Sequence, residues 1–430
     1  MKLFVICFLY VSTVAGFAQN FIPIDTADSE KRTAFLKHYN TSNAVYTKQL
    51  ARNYRGKVGR ELSKSYEEFY QQFAKEIERG TFVFDKRFTD FTTEILDEIL
   101  QKNPTVSKDV NLLISRDVTA NAYCLADGTM VVHLGLFYLL DNEDQLASII
   151  AHELSHKILN HSIEMNRKKI EEESSADAKK RVQTLKKTKY NQSGKALALF
   201  REQMYEEGKN RRKNEMEADS LAFVLLKNTD FDKTEYVKSL QLMQLYDSIR
   251  PMGLQDSIYR KVFDLPGQPF KESWFDVEDF SQYKYEHFKE KLNLDSIATH
   301  PETQERIDQL KNNLPPKEEI IAKSASEEFL ELSKLAGYER VPSLYITEAY
   351  GHAVYLSLLH LQLQTDDEYY SKWLGNSFQK IYEARKAYTL NRYLERVNPK
   401  NQSSSYQRFL GFMWNLSLNE IKAIADYYST

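Results

Sequence analysis

Two short runs carry most of the chemistry in this chain: His152-Glu153-Leu154-Ser155-His156, and Asn214-Glu215-Met216-Glu217-Ala218-Asp219. Residues four apart share one face of a helix, so His152 and His156 can converge on a single ion. Zinc accepts nitrogen and oxygen ligands in tetrahedral geometry, and a reactive site leaves one position for water. Glu153 stands beside that position, placed to take a proton from the bound water and generate a hydroxide nucleophile at neutral pH. Taken alone, such a run also arises by chance in a chain with nine histidines.

The second run offers what the first lacks. Glu215 is the preferred third ligand over Glu217, because it stands four residues before Asp219, one turn away on the same face. Asp219 can then hydrogen-bond the outer nitrogen of a ligating histidine, fixing its tautomer and raising its basicity. Ala218 suits a close helix–helix approach. The competing reading makes Glu215 and Asp219 ordinary surface carboxylates. His161 lies five residues beyond His156 with no intervening glycine, which excludes the class whose third ligand is a histidine six residues on; it is expected to pack or to cap the helix end.

The chain has 430 residues, enough for two or three domains. Its formal net charge of −3 leaves no basic excess to neutralise phosphates, which excludes a nucleic-acid partner. The 27 tyrosines and 24 phenylalanines are read as aromatic cores in helical packing. Lys2, the apolar run Leu3 to Val14 and the small-residue stretch Ala15-Gly16-Phe17-Ala18 form an export signal, with cleavage expected after Ala18. That run is too short to span a bilayer, and no later stretch is apolar enough to do so. Cys7 lacks the context of a lipid-attachment site. Once the signal is removed, Cys124 is the remaining cysteine, so no internal disulfide can form.

The elements that must position these residues are mostly helical. Tyr66, Phe69, Phe73 and Ile77 recur at helical spacing before Gly80, and a second helix covers Thr89 to Leu100. The period then changes. Val110 to Ser115 and Thr129 to Leu134 read as strands, with a turn at Asp127-Gly128 and Asn121-Ala122-Tyr123 on a further strand. A capping signal at Asn142 to Gln145 opens a helix from Glu143 to about Met165. A charged stretch from Glu164 to Lys189 reads as a solvated face, with a hinged cover over the site as the alternative. A turn at Asn191 to Gly194 precedes a short helix. Further helices cover Glu215 to Leu226 and Lys233 to Ile249, and Pro251 to Pro269 reads as a loop. Pro315-Pro316 marks the clearest boundary, beyond which several amphipathic helices follow without a fixed repeat.

The chain resembles the M48 peptidases. The residues that carry the resemblance are Asn121-Ala122-Tyr123, Gly135-Leu136, the His152–His156 helix, Glu215 to Asp219, Thr299-His300-Pro301 and Arg306-Ile307. The resemblance implies that His152, His156 and Glu215 bind one zinc ion and that Glu153 is the base. It implies that the Asn121 strand pairs with substrate backbone. It places His300 near the metal, as a gate or an oxyanion donor, against capping a helix before Pro301. Arg306 is left between bracing a site carboxylate and a surface ion pair. Tyr123 stands where the family usually has phenylalanine. The lack of membrane spans favours the soluble periplasmic branch concerned with outer-membrane quality control.

The expected fold is α+β and mostly helical, a zincin-like core with a small sheet plus an all-α C-terminal region. The expected organisation is a signal at residues 1–18, a zinc metallopeptidase domain over 19–315 with its core at about 105–310, and a helical domain over 316–430 that binds substrate or partner. The expected function is an exported zinc endopeptidase, periplasmic or secreted, that hydrolyses unfolded or misassembled polypeptides beside outer-membrane assembly machinery. The alternative is a periplasmic chaperone or assembly factor with a mostly latent metal site.

Overall fold

The computed structural model describes residues 23–24, 26–178, 180, 183, 192–248, 252–276, 303–314, 323–399 and 402–429. The signal expected at residues 1–18, with Cys7, lies outside them, as do Thr299, His300, Pro301 and the boundary at Pro315-Pro316.

Helices α1 (Ser29–Asn53) and α2 (Gly56–Glu78) pack on each other, and α2 buries Leu62, Tyr66, Tyr70, Phe73 and Ile77. Phe69 is exposed and Tyr70 takes its place on the stripe; the Phe69 ring lies against Tyr70 and Phe73 from outside. Strand β1 (Phe82–Val83) and α3 (Lys86–Lys102) follow. Strands β2 (Asn111–Ser115), β3 (Ala122–Cys124) and β4 (Thr129–His133) complete a four-stranded sheet in the order β1-β2-β4-β3. The β2–β4 pair is parallel and the outer pairs are antiparallel, which leaves β3 on an edge. Side chains alternate across the sheet. Ile114, Met130 and Val132 enter a core built with α3 and the helices beyond, while Leu113 and Val131 enter the core under α1 and α2.

Gly128 closes the β3–β4 turn with φ +96°, a conformation that favours glycine. Gly135 lies so close to the Thr119 carbonyl that an added Cβ would stand 2.3 Å from its oxygen. This contact seats α4 (Leu134–Leu139) at the end of β4.

Helix α5 (Glu143–Ile158) starts at Asn142, whose side chain accepts from the Gln145 amide. The return bond of this cap goes to the Asp141 amide. The helix was expected to reach Met165. It stops at Ile158 because Asn160 takes a left-handed conformation (φ 55°), and α6 (His161–Ser174) starts afresh in a new direction. Asparagine tolerates this region better than most residues. The described part of the charged stretch carries ion pairs of Arg167 with Glu164 and Glu171 on a solvated face. Helix α7 (Gln192–Lys227) is one continuous helix where a turn and two shorter helices were expected, and α8 (Thr234–Ser248) follows. Among the described residues, no helix is long and apolar enough to cross a membrane.

The segment read as a loop across Pro251–Pro269 contains α9 (Asp256–Phe263), which buries Ile258, Tyr259, Val262 and Phe263. Two turns between glycine and proline flanks give too short a periodic signal to be recognised as a helix. Helix α10 (Thr303–Asn313) returns to the first core through Ile307 and Leu310. Helix α11 (Glu327–Ile346) then runs through two cores. Phe329, Leu332, Leu335 and Ala336 lie in the one around α3 and α5, and Val341 lies in a separate C-terminal one. Pro342 removes the hydrogen bond to Tyr338 O inside this helix. The Tyr369 hydroxyl supplies it instead, at 3.2 Å. The C-terminal core is completed by α9, α12 (Tyr350–Leu363), α13 (Asp367–Lys386), α14 (Ser404–Asn415) and α15 (Leu418–Tyr428).

Candidate metal centre

The two chemical runs meet because α5 and α7 pack face to face, with Ala151, Leu154, Ala222 and Leu225 buried in one core. Ala218 is fully buried beside Asp219, which suits the close approach expected of a small side chain. His152 Nε2 and His156 Nε2 stand 3.0 Å apart. Glu215 Oε2 is 3.3 Å from His152 Nε2, and Glu215 Oε1 is 3.6 Å from His156 Nε2. Zn–N bonds of about 2.0–2.1 Å in a tetrahedron place ligand atoms roughly 3.3 Å apart. The donor triangle fits a zinc ion, and its two imidazoles and one carboxylate are the ligand types a reactive zinc site takes.

Behind His152 lies a fully buried relay. Its Nδ1 is 2.9 Å from both the Tyr236 hydroxyl and Asp219 Oδ1, and Tyr236 donates to Asp219 at 2.6 Å. Arg306, from α10, clasps Asp219 with Nε to Oδ2 and Nη2 to Oδ1, each at 2.7 Å. Its Nη1 lies 3.3 Å from Glu215 Oε2. Arg306 is therefore buried against a site carboxylate rather than held in a surface ion pair. Burial pushes the Asp219 carboxyl up, but Arg306 and His152 together hold it far below the ordinary range. Burial works against protonated His152 as well, and Asp219 and Glu215 carry it up to about 9. For His156, burial and neighbouring His152 act together and push it down to about 3.

Tyr236 was not found by sequence reasoning. It sits on α8, and no motif marks it among 27 tyrosines. The apolar run on α8 (Tyr236, Val237, Leu240) identifies it as buried but not as a neighbour of His152. His161, expected to pack or to cap a helix end, does pack, and it packs on the ring of His156, with centroids 5.0 Å apart.

Glu153 faces the sheet edge. Burial pushes its carboxyl up to about 7, and the Cys124 backbone amide acts in the opposite direction. The pairing of β3 with β4 explains why that amide is available. His133 N donates to Asn121 O at 3.0 Å, and Leu125 N donates to Thr129 O at 2.8 Å. Backbone groups alternate sides along an antiparallel strand, so those of Ala122 and Cys124 turn away from β4 toward the site. A cleft of about 850 Å³ runs along this edge, lined by Asn121, Ala122, Tyr123, the donor triangle of His152, His156 and Glu215, Tyr236 and Arg306. Leu139, Ile149, Leu240 and Met243 supply apolar wall beside His152. An edge strand whose Ala122 backbone turns toward a donor triangle that fits a metal, and toward a buried carboxyl, has the geometry to hold an extended peptide there. Of the expected site residues, all but His300 lie within the described structure and lie together.

The model of peptidase family M48 matches residues 89–314. The beta-barrel assembly-enhancing protease of Yersinia pestis is 28% identical over 79 residues, which is 18% of this chain and 16% of that protein. The mitochondrial metalloendopeptidase OMA1 of Schizosaccharomyces pombe is 32% identical over 76 residues, 18% of this chain and 23% of that protein. The chain thus matches less than a quarter of the length of each relative. With the family pattern running from α3 to the helix that carries Arg306, the chain belongs to peptidase family M48.

Proposed function

We propose that this protein is an exported metalloendopeptidase that hydrolyses unfolded or misassembled polypeptides, with His152, His156 and Glu215 as the ligands of one zinc ion. The observation that carries the reading is the meeting of the donor triangle, Glu153 and the free edge of β3 in one cleft. A bound zinc ion would polarise a water molecule and lower its pKa to about 7. Glu153 would take a proton from such a water at its carboxylate as the water oxygen bonds to the scissile carbonyl carbon, and would give that proton to the amine nitrogen as the C–N bond breaks. The backbone of Ala122 and the carbonyl of Cys124 align the substrate as an added strand, a mode that selects extended chains over folded ones. Tyr236, Asp219 and Arg306 fix the orientation of His152. His300 is assigned near the metal by resemblance alone.

Export rests on the pattern from Lys2 through Ala18. A location near an outer membrane rests on the resemblance and on a relative named as enhancing β-barrel assembly. The helical region over 316–430 is assigned to recruiting substrate or an assembly partner.

The test is to purify the protein, measure bound zinc, and compare cleavage of an unfolded protein by wild type and Glu153→Gln. The expected result is stoichiometric zinc in both and cleavage by wild type alone. Stoichiometric zinc without cleavage under any condition, including after His300→Ala, would overturn the protease reading of this site in favour of a latent assembly factor. A preparation that cannot be loaded with zinc would overturn the ligand assignment.

A further inference from the structure

We infer that His161 is a positioning residue for the metal, holding His156 through its outer nitrogen as Asp219 holds His152. His161 Nδ1 lies 3.0 Å from His156 Nδ1, with the two rings at 76°. A histidine that binds zinc through Nε2 is neutral and keeps its proton on Nδ1, where it must donate to an acceptor. His161 Nδ1 is that acceptor. Its own proton then resides on Nε2, which is buried, has no partner in hydrogen-bond geometry, and faces Glu217 Oε2 at 3.4 Å. Glu217 is half-exposed and also lies 3.5 Å from Lys213 Nζ. The result is a line from His156 through His161 to Glu217.

The backbone is arranged for this contact. The left-handed conformation at Asn160 ends α5 one turn after His156 and begins α6 at His161, which turns the His161 ring back toward the site. A continued α5 would place residue 161 five positions after 156, about 500° around the helix and off its face. The break is what brings the two imidazoles together. It also separates the roles of two neighbouring acidic residues on α7, with Glu215 facing the metal and Glu217 facing the residue that orients a ligand.

The inference rests on the zinc assignment proposed for His152, His156 and Glu215, and the experiment separates the two. Zinc affinity of the whole protein is measured by competition with a chromogenic chelator for wild type, His161→Phe, His161→Asn, Glu217→Ala and, as a control lacking one ligand, His152→Ala. Losing a hydrogen-bond partner of a metal ligand weakens affinity by about 10–100-fold, which is the effect expected for His161→Phe. His161→Asn keeps an acceptor oxygen near Nδ1 and is expected to stay close to wild type. Glu217→Ala is expected to fall between them. Substituted cobalt should show a shifted visible absorption spectrum in His161→Phe and an unshifted one in His161→Asn. Wild-type affinity in His161→Phe overturns the inference, as does an equal loss in the Phe and Asn variants, which would mean that ring volume alone matters. Should His161→Phe fail to unfold cooperatively, Glu217→Ala decides, since unchanged affinity there overturns the inference and weakened affinity supports it. A wild type that binds no zinc, or binds it no better than His152→Ala, would instead sink the zinc assignment itself.

Discussion

Arg306 grips Asp219 at both carboxylate oxygens, at 2.7 Å each, while the same carboxylate faces His152 Nδ1 at 2.9 Å. A cation from one helix thereby sets the orientation of a donor on another, through an anion on a third.

Replacing Arg306 by alanine leaves the buried Asp219 charge without its partner. Breaking a buried pair in this way costs about 3–5 kcal/mol. Denaturant unfolding with chelator present should show that loss, and Arg306→Lys should recover only part of it because lysine lacks the two-pronged geometry. Equal stability of wild type and Arg306→Ala would show that the ion pair contributes nothing to the fold.

Tyr236→Phe deletes one donor to Asp219 and one neighbour of His152 while keeping the ring. The expected cost is about 1–3 kcal/mol in unfolding free energy. Zinc affinity should fall, but by less than in Asp219→Ala, for which about 10–100-fold is expected. Isothermal titration of both variants checks the order. A Tyr236→Phe site weaker than that of Asp219→Ala would make the tyrosine, not the carboxylate, the main support of His152.

Ala122→Pro removes the backbone N–H that β3 turns toward the cleft. Proline is tolerated on an edge strand when its nitrogen faces away from the partner strand. Losing one substrate hydrogen bond of about 1.4 kcal/mol should lower kcat/KM on an unfolded protein by about tenfold. Zinc affinity should stay at the wild-type value. A variant with unchanged kcat/KM would remove β3 from substrate alignment.

The C-terminal helices carry an acid-sensitive joint. Burial pushes the Glu420 carboxyl up, but Lys271, the Ser417 amide and hydroxyl, and Trp274 outweigh it and hold it at about 2, below its ordinary 4.5. A lowered carboxyl stabilises the fold when ionised, so this contribution is complete above about pH 4.5 and is lost as pH falls toward 2. Thermal melts of wild type and Glu420→Gln should differ most at neutral pH and converge near pH 2. A gap that stays constant across that window would exclude ionisation as its source.

Much of the site was legible because its spacings are helical. His152, Glu153, His156, Glu215 and Asp219 are each fixed by separations of one or four residues, and those separations hold wherever a helix forms. What joins two helices was less legible. Tyr236 reaches His152 from α8 across a separation of 84 residues, and nothing local to Tyr236 marks that contact. The His161 contact depends on one left-handed residue, and Asn160, a residue type that tolerates that conformation, is too common inside helices to mark the break by itself. The strands were visible from their β-branched runs, but the parallel pairing of β2 with β4, and hence the edge position of β3, depends on long-range register. Helix α9 was hidden by its glycine and proline flanks.

Helix α11 gives the two larger cores a common wall. Phe329 lies against Phe91 and Phe137 in the core that contains α5, and a few turns later Val341 is buried in the C-terminal core. Load applied to the C-terminal helices therefore travels along a single rod into the core that α5 shares. A chain cut ahead of Glu327 would not release an intact peptidase; it would strip a side from the core that holds His152 in place.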